Sequence, residues 1–176
     1  MILFPRFFEK VFALKQNDAR EYNNRGNVHS LVGDCREAIL DYTKAIELNP
    51  NYAQAYYNRG TARNKLGENR RALQDFNKAI ELNPNDADSY INRGISKNKL
   101  QDYESAIRDY YKAIELNPDN PKAYYNLGIA KRHYIDYILT VQNEDQFIGQ
   151  QQHYSSKEDN HKSSRYISEE KKWHFE

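Results

Sequence analysis

The chain has 176 residues, 26 of them Lys or Arg and 25 Asp or Glu, with a mean hydropathy of −1.03. Balanced charge argues against a polyanion binder held by bulk attraction, which needs a basic excess. The single cysteine, Cys35, excludes an internal disulfide framework and a thiolate zinc site, and no apolar run approaches the roughly 18 residues of a membrane span.

Residues 1–18 carry Phe4, Phe7, Phe8 and Phe12, interrupted by Pro5, Arg6, Glu9 and Lys10. The interruptions break the continuous apolar stretch, roughly 7–15 residues, that a secretory signal requires. A short amphipathic helix covering the open face of the first helical unit is the expected role, with shallow membrane contact as the weaker alternative. A cytoplasmic location is expected.

From residue 19 the sequence repeats. Asn-Arg-Gly occurs at Asn24, Asn58 and Asn92, and Lys-Ala-Ile-Glu-Leu-Asn-Pro begins at Lys44, Lys78 and Lys112, always 34 residues apart. Residues 53–86 and 87–120 are identical at 17 of 34 places. The units are 19–52, 53–86 and 87–120, with a degenerate fourth over 121–149. Each reads as two helices. Ala38, Ile39, Tyr42, Ala45, Ile46 and Leu48 lie at helical spacing, and the later units repeat the stripe. Asn-Pro ends each second helix, because proline restricts the residue before it and cannot continue the hydrogen-bond ladder. Asp18 with Glu21, Asp34 with Glu37, and Asn120 before Pro121 are start signals. Gly33 and Gly67 fall between paired helices, where a left-handed residue is wanted. After Tyr134, a capping helix running to about Ile148 is expected, and then a polar tail over 150–176, loosely packed or disordered.

A 34-residue helix-turn-helix period with these residues resembles the tetratricopeptide repeat. An aromatic holds the fourth place of each unit (Tyr22, Tyr56, Tyr90, Tyr124) and glycine the eighth (Gly26, Gly60, Gly94, Gly128). Alanine holds the twentieth and twenty-seventh, and proline the thirty-second. The resemblance implies an all-α, right-handed superhelical solenoid of stacked antiparallel hairpins. It also implies a concave groove for an extended or helical segment of another protein.

Two places depart from the family together. The seventh, commonly leucine, is Arg25, Arg59 and Arg93; the twenty-third is Asp41, Asp75 and Asp109. The fourth unit loses both, with Leu127 and Asn143. Such joint loss suggests structural ion pairs between packed helices, the alternative being arginines that face the groove and clamp a partner's carboxylates. On the first view Arg59→Leu alone harms folding more than Arg59→Leu with Asp75→Asn, since an unpaired buried charge costs roughly 3–5 kcal/mol.

In the family the first helix of each unit lines the groove. Its sixth place is Asn24, Asn58, Asn92 and Asn126, a row of carboxamides able to hydrogen-bond an extended peptide backbone whatever its side chains. Capping or bridging of neighbouring helices is the competing role. Flanking places change along the array: Asn23, Tyr57, Ile91, Tyr125 at the fifth and Asn27, Thr61, Ile95, Ile129 at the ninth. This gradient predicts an apolar anchor docking among Ile91, Ile95, Tyr125 and Ile129. Lys65 and Lys99, with Arg63, Lys97, Lys131, Arg132 and His133, form either a basic rim favouring acidic ligands or a solvated charge run.

Some members of the family hold a chaperone's C-terminal carboxylate with a Lys–Asn–Asn–Lys–Arg set. Here Asn27 and Asn58 match, but Asn23, Asp88 and Asn92 replace the cations, which argues against that ligand. No glycine-rich phosphate loop, His-Glu-x-x-His or Gly-x-Ser-x-Gly occurs, and the five histidines lack metal-ligand spacing. No enzyme, metal or cofactor is therefore expected, only a protein or peptide partner. Nucleic-acid binding by a helical-repeat array and self-association through open ends are the alternatives.

Overall fold

The structure, a computed structural model, describes residues 18–144 and residue 146. The Phe-rich N-terminus and the polar tail lie outside these. The described residues contain helices and no strands. Six helices form three hairpins: α1 (Ala19–Leu31) with α2 (Cys35–Leu48), α3 (Ala53–Lys65) with α4 (Asn69–Leu82), and α5 (Ala87–Lys99) with α6 (Tyr103–Leu116). Each helix packs on the next in sequence, and the first helices of successive hairpins also touch, α1 on α3 and α3 on α5. The second helices come no comparably close, so the first helices form the inner wall of the array.

Two of the three start signals, and all three Asn-Pro stops, operate as chemistry requires. Asp18 accepts from the Arg20 amide through Oδ1 at 2.8 Å, and Asn120 from the Lys122 amide at 3.0 Å, each meeting an N-terminal donor the helix leaves free. Asp34 makes no such side-chain bond. At Asn49, Asn83 and Asn117 the backbone turns extended while the amide still reaches Ala45, Ala79 and Ala113, after which proline ends the ladder.

The hairpin turn needs a left-handed residue at the fifteenth place. Gly33 has φ +92° and Gly67 φ +78° there, but the third unit has Gln101 at φ +65°. A side chain in this region is strained, so Gln101→Gly is expected to stabilise the protein by about 0.5–1 kcal/mol, read as a higher urea midpoint. Ile135 holds the equivalent place in the fourth unit, and a β-branched residue resists that conformation. Residues 121–132, and residues 133–144 of a second compact unit beginning at His133, are all helical. The expected turn in a degenerate fourth hairpin is thus not present in the described residues.

The core repeats with the sequence. Ala38, Tyr42 and Ala45 are buried, as are Ala72, Phe76 and Ala79, and Ala106, Tyr110 and Ala113. Each aromatic lies against the eighth-place glycine of its own hairpin: a β-carbon added to Gly26, Gly60 or Gly94 would sit 2.6, 2.9 or 2.7 Å from the ring. No such contact meets Gly128.

Candidate functional site

The inner wall is tied together by side chains reaching back one hairpin. Asn58 donates through Nδ2 to Asn23 Oδ1 at 2.9 Å and Asn27 Oδ1 at 3.0 Å, and accepts from Gln54 Nε2 at 2.9 Å. Asn92 donates to the Tyr57 hydroxyl at 2.8 Å and lies 3.4 Å from Lys122 Nζ. The sixth place of one unit therefore bonds the fifth place of the unit before. Where the fifth place is Ile91, which offers no acceptor, Asn126 instead donates to the Lys122 carbonyl of its own helix at 2.8 Å. Asn24 is exposed.

The four amides are not equivalent. Asn92 is 7% exposed, so it cannot serve in an accessible row and is corrected to an interior bridge between hairpins. Both Asn58 donor hydrogens are committed to Asn23 and Asn27, leaving its oxygen as the group able to meet a guest. Ile91 is likewise corrected: it has no exposed surface and packs with Ala106, Tyr110, Ala123 and Leu127. The apolar patch narrows to Ile95 and Ile129, both half-buried, and Tyr125, 70% exposed. Tyr57 and Thr61 are half-buried towards its N-terminal side, the Tyr57 ring edge-on to Phe76 at 6.1 Å. Burial, with Asp88 and Asp86 adding to it, raises the Tyr57 phenol above its usual range, so it stays a neutral donor and acceptor.

Ninth-place chemistry also reaches the core. Asn27 accepts from the Tyr42 hydroxyl at 2.9 Å, and burial pushes that phenol up to about 12. With Ile95 at this place in the third unit, the Tyr110 hydroxyl is buried without a hydrogen-bond partner. A buried orphan hydroxyl costs roughly 1–3 kcal/mol. Tyr110→Phe is expected to leave the melting temperature unchanged or raise it, whereas Tyr42→Phe lowers it.

Arginine and aspartate of the seventh and twenty-third places meet within each hairpin. Arg59 Nη2 lies 2.7 Å from Asp75 Oδ1, Arg93 Nη2 2.7 Å from Asp109 Oδ1, and Arg25 pairs with Asp41 in the same way. Each guanidinium also stacks on the fourth-place tyrosine three residues earlier, with centroid distances of 4.9, 5.6 and 5.3 Å. Arg59 and Arg93 then use Nη1 to reach Thr43 and Asn77 on the preceding second helix. One side chain thus joins three helices.

Every aspartate also faces a second nitrogen side chain at the eleventh place, where the sequence suggests only a basic rim. Arg63 lies 2.7 Å from Asp75, Lys97 2.8 Å from Asp109, and His29 3.7 Å from Asp41. Burial pulls the Arg63 guanidinium below its ordinary value, with Asp75 opposing the shift. Lys131, in the unit without that aspartate, sits 5.2 Å from the Tyr111 ring centroid. The thirteenth-place lysines reach the end of the preceding first helix: Lys65 Nζ is 3.4 Å from the Ser30 carbonyl and Lys99 Nζ 3.3 Å from that of Asn64. Such cations complement the negative C-terminal end of a helix dipole. The recurrence of a His, Arg or Lys four residues after each arginine is the sequence signal for the second partner.

Among the described residues no group of three or more His, Cys, Asp or Glu side chains is placed to hold a metal ion. No helix there is long and apolar enough to cross a membrane.

Stacked two-helix hairpins whose first helices share an inner wall define an all-α helical-repeat solenoid. Family models described as TPR repeat match residues 32–67 and 96–131, and models described as tetratricopeptide repeat match 53–86 and 76–108. The chain belongs to the tetratricopeptide-repeat family. A comparison with curated protein sequences finds no match. Among solved structures, the chain is similar to the first TPR of Spaghetti (RPAP3) bound to the HSP90 peptide SRMEEVD, with TM-score 0.66 and 30% identity over 67% of this chain and 94% of that one. The second TPR domain of human RPAP3, in complex with the HSP70 peptide SGPTIEEVD, gives 0.63 and 27% over 64% and 94%. MamA gives 0.66 and 28% over 72% and 74%.

Proposed function

We propose that this chain is a non-enzymatic adaptor whose inner wall binds a peptide segment of a partner protein. The observation that carries the proposal is the partly uncovered strip of Tyr57, Thr61, Ile95, Ile129 and Tyr125 beside amides already fixed by inter-hairpin bonds. Side chains held before binding lose less entropy when a ligand arrives, so a modest apolar strip can support useful affinity. The related RPAP3 domains hold chaperone peptides, which supports a peptide as the ligand class.

The ligand differs in chemistry from those acidic tails. Where a carboxylate clamp needs cations, this wall has Asn23, Asp88 and Asn92, and Asn58 is bonded to Asn23 and Asn27. The basic rim offers little replacement, because Arg63 and Lys97 hold aspartates while Lys65 and Lys99 reach helix ends. A segment with an aliphatic or aromatic anchor suits the C-terminal half of the strip, with Asn24, the Asn58 oxygen and Asn126 available to its backbone.

Selection from a displayed random-peptide library tests this. Peptides enriched on the wild type should share an apolar anchor and bind at least about tenfold more weakly to Ile95→Arg, the scale of one lost central contact. Their affinity should change little between low and high salt. Enrichment of acidic C-termini, or equal binding to both proteins, would reject it.

A further inference from the structure

The outer face of α1 is bare where every later first helix is covered. At the tenth place Ala62, Ser96 and Ala130 have no exposed surface, whereas Val28 is 59% exposed. At the seventh, the Arg25 side chain is 57% exposed against 13% for Arg59 and 18% for Arg93. The covering element in the later units is a second helix: Ala62 packs with Cys35, Ala38 and Tyr42 of α2, and Arg59 bonds Thr43.

Counting back 34 residues from α2 lands on residues 1–14 of the same chain. Phe8 falls at the place of Tyr42, Phe76 and Tyr110; Lys10 at that of Lys44, Lys78 and Lys112; Leu14 at that of Leu48, Leu82 and Leu116. Residues 15–18 match the four-residue link 49–52 that leads into α3. Pro5 suits the first turn of a helix that starts there. Phe7 replaces the aspartate that would hold an arginine, so residues 5–14 reproduce the second half of a unit alone. Glu9 takes the place of Thr43 and Asn77, the residues that accept from Arg59 and Arg93.

We propose that residues 5–14 serve as the second helix of a preceding half repeat and cover α1. Phe8 packs on Val28, and the Glu9 carboxylate accepts from the Arg25 guanidinium. The occupant is part of the chain and tethered by four residues, so it outcompetes a second copy at ordinary concentration. This inference is independent of what the inner wall binds.

The test uses the full chain with labelled phenylalanine and valine in solution NMR. The expected result is a cross-relaxation signal between the Phe8 ring and the Val28 methyls, unchanged on dilution. Phe8→Asp should move the Val28 methyl shifts, and Glu9→Lys should lower the melting temperature by about 4 °C, the shift of roughly 1 kcal/mol in a domain this size. Val28 methyls with no Phe8 signal and indifferent to Phe8→Asp would overturn the proposal. So would a signal seen only between differently labelled copies, which would make a second molecule the occupant.

Discussion

Replacing Gly94 by alanine is expected to destabilise the protein by about 1–3 kcal/mol, the range of overpacking a filled core. The new β-carbon would sit 2.7 Å from Cε1 and 2.8 Å from Cζ of Tyr110, a ring with no exposed surface. Relief requires either a ring shift into Ile91 and Leu127, which share its cluster, or a parting of α5 from α6. Gly128→Ala is the matched control. It occupies the same place in the next unit, yet nothing lies within 4 Å of the added carbon. There alanine's higher helix propensity should be neutral or stabilising by up to about 1 kcal/mol. Urea midpoints of the two variants should therefore move in opposite directions or, at the least, differ widely. Equal losses would mean that glycine matters here through the backbone and not through the ring.

Asp75→Asn should be more damaging still, at about 3–5 kcal/mol, because two cations lose one anion. Arg59 and Arg63, with side chains 13% and 17% exposed, both end on Asp75 and cannot turn to water without parting the helices. The same geometry reorders the expectation drawn from paired departures alone. Arg59→Leu leaves Asp75 with Arg63, so it should be milder than Asp75→Asn. The combined Arg59→Leu/Asp75→Asn variant should recover only part of the loss, since Arg63 remains. Asp41→Asn should cost much less, because Arg25 is already largely in solvent and its companion is His29. Thermal unfolding of the four variants gives the order; an Asp41 loss equal to that of Asp75 would show that burial of the cations is not what sets the cost.

The fold was legible in the sequence because each unit repeats its own boundary chemistry. Asn-Pro at 49–50, 83–84 and 117–118 and glycine at the fifteenth place of the first two units act through backbone geometry, which does not depend on neighbours. The interior of the site was less legible for a corresponding reason. Asn24, Asn58, Asn92 and Asn126 share a place in the repeat, yet their surroundings differ with the residue one unit earlier: Asn23 and Asn27 accept from Asn58, Tyr57 accepts from Asn92, and Ile91 accepts from nothing. A repeat register gives the direction of a side chain but not whether a neighbour has covered it. Ile91 illustrates the same limit, since its burial depends on Ala123 and Leu127 of the following helix. Gln101 illustrates the converse, a turn that keeps its left-handed backbone without the glycine that advertises it.

The joints along the array are not made of one material. The first two add a polar grip, Arg59 and Arg93 each donating to a neutral oxygen on the preceding second helix, at Thr43 and Asn77. At the third, Leu127 stands in the arginine's place and packs with Tyr110 and Ala113. Oily seams weaken on cooling, while hydrogen bonds do not share that loss. Chill should therefore loosen the third joint before the first two, giving a single small protein a preferred line of fracture.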